Sequence, residues 1–193
     1  MRLKFDSLLE RARRRDREQS AAGVAMRALT TQPYANWRAW LGAHPVYATS
    51  AMVVALTKAA RNAGEDALSI LDAAESIASM LRDDYDGPYA RYVVWSARGA
   101  VLREWKRYSE ALIAFDRAGA ELDDAPEAFA APFRADLALD RAALLMEMGD
   151  PTAARQSAWA AAEWYAATGE RAGLVRITMI VVATDAHLAT DEA

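Results

Sequence analysis

Residues 98–120 read RGAVLREWKRYSEALIAFDRAGA, two apolar stripes of helical period separated by Lys106 and Arg107. In the second stripe Ala111, Phe115 and Ala118 stand at offsets of four and seven, which puts them on one face of a helix. The same spacing recurs at Ala67, Leu71 and Ala74 and at Ala154, Ala158 and Ala161, 44 residues before and 43 after. A small residue at the same place on successive helices lets a neighbouring helix nest closely. The recurrence therefore predicts one helix-on-helix contact built repeatedly, a stacked array of antiparallel helix hairpins.

Working outward, nearly every segment has the helical period. Two amphipathic helices are expected over Leu3–Arg17, with Leu3, Phe5, Leu8, Leu9 and Ala12 near one stripe, and over Gln19–Leu29. Thr30–Pro33 then breaks the pattern ahead of a short helix through Trp37 and Trp40. Hairpins follow from Tyr47–Asn62 with Asp66–Arg82, turning at Gly64, and from Tyr89–Trp105 with Tyr108–Leu122. Asp83–Pro88 (DDYDGP) and Asp123–Pro126 (DDAP) are loops, and Pro132 either starts or kinks the helix that reaches Met148. Gly149, Asp150 and Pro151 supply a helix stop, an N-cap and a first-turn proline. One helix then runs to Thr168 and Gly169, and another from Glu170 to Leu188. Residues 1–46 are read as an N-terminal helical cap or degenerate repeat, and 47–193 as the array with its apolar C-terminal helix.

Composition narrows the function. The chain has 193 residues, no cysteine, and a formal charge of −4 from 23 basic and 27 acidic residues. Disulfides, thiolate metal sites and cysteine nucleophiles are absent with the residue type. An acidic balance argues against a protein devoted to nucleic acid. No stretch approaches about 18 uncharged apolar residues and the first fifteen residues hold no apolar signal-peptide core, so a cytoplasmic protein is expected.

The quoted stretch also carries a resemblance. Trp95, Gly99, Leu102, Tyr108, Ala111, Phe115 and Ala118 stand at the relative positions of the tetratricopeptide repeat, and the stretch is similar to one such unit from end to end. A weaker unit follows in register at Ala142, Leu145, Gly149, Ala154, Ala158 and Ala161, with Ala138 in place of the tryptophan. A degenerate one can be laid on Ala55, Ala67, Leu71 and Ala74. The departures are a spacing of 43 to 44 residues where 34 is usual, and Arg98 and Arg141 in place of leucine before the glycine position. The resemblance implies a right-handed α-solenoid of about nine to ten helices, binding a peptide or protein in its concave groove.

Carried onto this sequence, the resemblance points to a groove lined by Val93, Ser96, Ala100, Arg103 and Glu104 in the middle unit. In the next unit it points to Asp136, Leu139, Ala143, Met146 and Glu147. The lysine and asparagine pattern by which some members of that family hold a free C-terminal carboxylate is missing from these places. An extended or helical partner bearing both charge signs fits the mixture better. The expectation is a non-enzymatic scaffold or adaptor that needs no cofactor or metal.

Other features suggest alternatives. Arg11, Arg13, Arg14, Arg15 and Arg17 leave the first twenty residues at +3, so a regulatory protein whose first helix contacts nucleic acid is the second reading, although Glu10, Asp16 and Glu18 blunt the run. A structural homo-oligomer is the third. Leu174, Val175, Ile177, Met179, Ile180, Val181 and Val182 make the last helix apolar nearly all round, and Leu174, Ile177, Ile180 and Val181 are read as a face for a homodimer. Tyr34, Trp37 and Trp40 either cap the first hairpin or form a binding spot. Against an enzyme stand two isolated histidines, His44 and His187, and the lack of any nucleophile elbow or phosphate-binding glycine loop. The pairs Asp83/Asp84 and Asp123/Asp124 sit in loops as turn residues.

Overall fold

Every small-residue stripe read from the sequence lies on a helix and is buried. Ala67, Leu71 and Ala74, Ala111, Phe115 and Ala118, and Ala154, Ala158 and Ala161 are all at 2% exposure or less. Alanine favours the helix and its small side chain lets another helix approach, so the recurring spacing marks where helices meet.

A computed structural model describes residues 2–82, 86–123 and 125–191, with the side chains of 2–9, 11, 12, 190 and 191 outside the described set. The expected stripe of Leu3, Phe5, Leu8, Leu9 and Ala12, the side chain of Arg11, the pair Asp83/Asp84 and Asp124 thus lie outside the described residues. Among the described residues the protein is all-α. Its helices are α1 (Arg2–Leu29), α2 (Trp37–Ala43), α3 (Ser50–Ala60), α4 (Ala67–Ala78), α5 (Asp86–Glu104), α6 (Tyr108–Ala120), α7 (Glu127–Glu147), α8 (Pro151–Thr168) and α9 (Arg171–Asp191). Single 3-10 turns occupy 34–36, 45–47 and 64–66.

The chain forms two compact units, residues 1–97 and 98–193. In the first unit α1 packs on α3, and α2 and α3 both pack on α4, which ties residues 1–46 to the hairpin that follows. Trp37 explains part of this. It is 1% exposed, and its indole N–H donates at 2.9 Å to the carbonyl of Leu29, which also accepts from the Gln32 N–H at the end of α1. Of the two roles open to the aromatic cluster, Trp37 takes the capping one. Trp40 stacks on His44 and Tyr47, with centroids 4.1 and 5.6 Å apart, and Tyr34 lies against Trp37. The two N-terminal helices expected from sequence are one, α1, because nothing at Glu18 or Gln19 breaks the ladder.

In the second unit α6 packs on α7, α7 on α8, and α9 on both α7 and α8. Asp150 caps α8 by accepting from the Ala153 N–H at 2.9 Å, Pro151 fills the first turn, and Gly169 ends the helix in the left-handed conformation. Pro132 neither starts nor ends α7: the helix begins at Glu127, after Pro126, and continues through it. Two glycines set how closely helices approach. A Cβ at Gly99 would run into the Phe115 ring, and one at Gly173 into the Tyr165 ring. Each aromatic lies flat on the opposing backbone where no side chain intervenes.

The inward face of α9 departs from expectation. Ile177 is 6% exposed and belongs to the core with Leu139, Ala142, Ala158, Ala161 and Tyr165, while Leu174, Ile180 and Val181 pack against that core. These four residues, read from sequence as a homodimer face, pack within the chain. Val175, Met179 and Val182 are the exposed apolar residues of this helix, at 57, 68 and 63%. Residues Arg171–Ala189, with a mean hydropathy of 1.4, form a helix long and apolar enough to cross a membrane by length and composition, although the sequence was read as having no such segment. Both charges at its middle are paired: Arg176 donates to Asp140 of α7 at 2.7 Å and Asp185 accepts from Arg155 of α8 at 3.0 Å.

Candidate functional site

The stop signal between α5 and α6 borders a recess on the surface of the second unit. After Glu104 the chain leaves the helix through Lys106, whose φ is +58°. The Arg107 N–H then bonds back to the Leu102 carbonyl at 2.9 Å, five residues earlier. One repeat later the geometry returns. Gly149 has φ +80°, and the Asp150 N–H bonds to the Leu145 carbonyl at 3.0 Å. Glycine is the ordinary occupant of this left-handed place at a helix end, whereas a side chain there costs about 1–2 kcal/mol. Lys106 is the only non-glycine residue with positive φ among the described residues, and strain of that kind is retained where something else requires the side chain.

Lys106 is one of the residues lining a recess of about 400 Å³, with Ala100, Arg103, Glu104, Tyr108 and Glu147. Two of the lining residues form an ion pair between successive repeats. Arg103 Nε and Nη2 donate to Glu147 Oε1 at 2.9 and 2.6 Å, with the side chains 32 and 38% exposed. The hydrogen bond to Glu147 raises the Arg103 pKa above its usual value, against a smaller opposing effect of desolvation. At this exposure the pair contributes less than about 1 kcal/mol; what it provides is direction, holding the C-terminal ends of α5 and α7 side by side with both charges neutralised. Beside the recess, Arg107 forms two hydrogen bonds to Glu110, at 2.7 and 2.5 Å, and sits over the Trp105 ring at 5.9 Å. Glu104 and Lys106 form no ion pair among the described residues. The recess thus offers one acidic and one basic group to the outside, two residues apart, beside an ion pair already balanced in charge.

Three residues expected in the groove, Arg103, Glu104 and Glu147, come together here. The others do not. Leu139 is fully buried and packs the core of α7, α8 and α9, so it has no surface to offer. Asp136 is exposed but accepts a hydrogen bond from the Tyr165 hydroxyl, which binds α7 to α8. Ser96 and Met146 are half-buried and outside the recess lining. Lys106 and Tyr108 were missed as site residues; the signal was a lysine aligned, 43 residues earlier, with the helix-stopping Gly149. Arg141, which stands where the repeat pattern has leucine, spans from α7 to Asp116 of α6, and burial lowers its pKa.

The remaining candidates are dispersed. Arg13, Arg14, Arg15 and Arg17 are exposed on α1, with Arg14 paired to Glu18 at 2.7 Å and near Asp86 at 3.6 Å. Among the described residues no group of three or more His, Asp or Glu is placed to hold a metal ion. Comparison with known proteins returned no matching family, no matching curated protein and no matching solved structure.

Proposed function

We propose that the protein is a peptide-binding scaffold or adaptor, a right-handed tetratricopeptide-like α-solenoid whose groove-side surface includes the recess at the ends of α5 and α7. One observation carries this reading: Arg103 and Glu147, on neighbouring repeats and one place out of register (Glu147 is the counterpart of Glu104), are bonded to each other. In the repeat reading α5 and α7 are the first helices of consecutive hairpins, and a bond between their C-terminal ends supports the side-by-side arrangement that makes a groove in such arrays. The left-handed Lys106 and the buried alanine stripes support the same register. The partner is an extended or helical segment with an acidic group for Lys106 and a basic group for Glu104, a few residues apart.

The test is selection of peptides from a displayed random library on the immobilised protein, followed by calorimetry on the enriched sequences. Peptides carrying both charge signs are expected to emerge, with affinity falling at least about tenfold on Lys106→Glu or Glu104→Lys. Substitution of Arg38, an exposed residue of α2 in the first unit, should leave affinity unchanged. A library that yields no common pattern, or peptides indifferent to both charge reversals, defeats the proposal.

A further inference from the structure

The outward face of α9 has a period of its own. Ala172, Val175, Met179, Val182, Ala186 and Ala189 follow spacings of 3, 4, 3, 4 and 3, and all six are exposed. That is an uninterrupted a/d heptad seam of two and a half repeats, on the side of the helix opposite Gly173, Ile177 and Thr184, which are buried. A helix whose only duty is to cover α7 and α8 needs one apolar stripe; this one has two. Trp159, 59% exposed, lies one turn along α8 from Arg155, on the stripe that reaches α9 through Asp185, and so widens the apolar surface.

We propose that this seam joins two copies of the chain, with their α9 helices antiparallel about a dyad between residues 180 and 181. In antiparallel coiled coils an a position meets a d position of the other helix. This register sets Ala172 against Ala189, Val175 against Ala186 and Met179 against Val182 of the other copy, apolar against apolar throughout. Alanines at both ends of the seam and larger residues at its centre mesh when one helix is turned on the other. Charge agrees as well. Arg176 and Asp185 are paired within each copy, to Asp140 and Arg155, so neither leaves an unpaired charge beside the seam. The seam is about 26 Å long at 1.5 Å per residue, a small interface, so dissociation in the micromolar range is expected.

The experiment is sedimentation of the full chain across a concentration series up to about 100 μM, the range in which a small interface self-associates. The mass is expected to rise from 21.1 kDa towards twice that value. Met179→Glu and Val182→Lys, both at highly exposed positions, should each weaken association at least tenfold with the circular dichroism spectrum unchanged. Mixing the two variants should restore a heterodimer, since the new glutamate then faces the new lysine. As a second readout, a mixture of Met179→Cys and Val182→Cys should form a disulfide-linked pair faster than either alone, in a chain with no other cysteine. A wild-type mass that stays at 21.1 kDa, or single variants that do not recover on mixing, overturns the proposal. So does a chain that floats with phosphatidylcholine vesicles and stays monomeric without them, which would assign the seam to lipid.

Discussion

Replacing Lys106 by glycine should make the protein more stable while removing the side chain that the proposed binding site uses. At φ +58° a residue with a Cβ carries about 1–2 kcal/mol of strain. Glycine has none there, but its unfolded chain is freer, which takes back about 0.4–1 kcal/mol. The net expectation for Lys106→Gly is a gain of about 0.5–1 kcal/mol. The control lies one repeat later: Gly149 occupies the same motif at φ +80°, so Gly149→Ala should lose a similar amount. Urea titration followed by circular dichroism reads the difference as a displaced midpoint at constant slope. In a thermal scan it corresponds to a few degrees at most for a chain of this size. Lys106→Arg keeps both charge and strain, and should leave stability and peptide affinity where they are. Stability and affinity moving in opposite directions on Lys106→Gly is the signature of strain retained for function. If Lys106→Gly is neutral or destabilising while Gly149→Ala costs the expected amount, the strain argument fails and Lys106 is an ordinary surface residue.

Two further perturbations probe the packing. Gly99→Ala and Gly173→Ala should each cost about 1–3 kcal/mol, since the added methyl meets the Phe115 or Tyr165 ring and the helices must move apart; Gly42→Ala on α2, where nothing lies within 4 Å, should be neutral or slightly stabilising in the same denaturation assay. Tyr165 should give stability an alkaline limb. Burial, reinforced by the hydrogen bond to Asp136, raises its pKa well above the usual value of about 10. The folded state therefore holds this proton after the unfolded state has lost it. Its contribution is complete below about pH 10 and declines as pH rises beyond that, by no more than about 1.4 kcal/mol per pH unit. Tyr165→Phe should cost about 1 kcal/mol near neutrality through the lost hydrogen bond and flatten the decline above pH 10.

What the sequence revealed depends on whether a residue's role is set within its own helix. The alanine stripes were legible because a helix presents its contact face at fixed offsets, and the Gly149–Asp150–Pro151 junction because each residue type there has a local backbone reason. Which side of an all-apolar helix turns inward is a different kind of fact. In α9 the set Leu174, Ile177, Ile180 and Val181 and the set Val175, Met179 and Val182 are equally apolar; the choice between them is made by Tyr165, which needs Gly173 beneath its ring, and by Asp140 and Arg155, which draw Arg176 and Asp185 towards α7 and α8. Those partners lie from 8 to 36 residues away in sequence, and no periodicity within α9 records them. Leu139 was misplaced for the same reason. Its position in the repeat faces a groove in the family pattern, but α9 folds back onto α7 and covers it. Lys106 shows the reverse case: it was missed although its signal was local, since the repeat register sets lysine where the following unit has Gly149, and a left-handed helix end is a requirement that lysine meets only under strain.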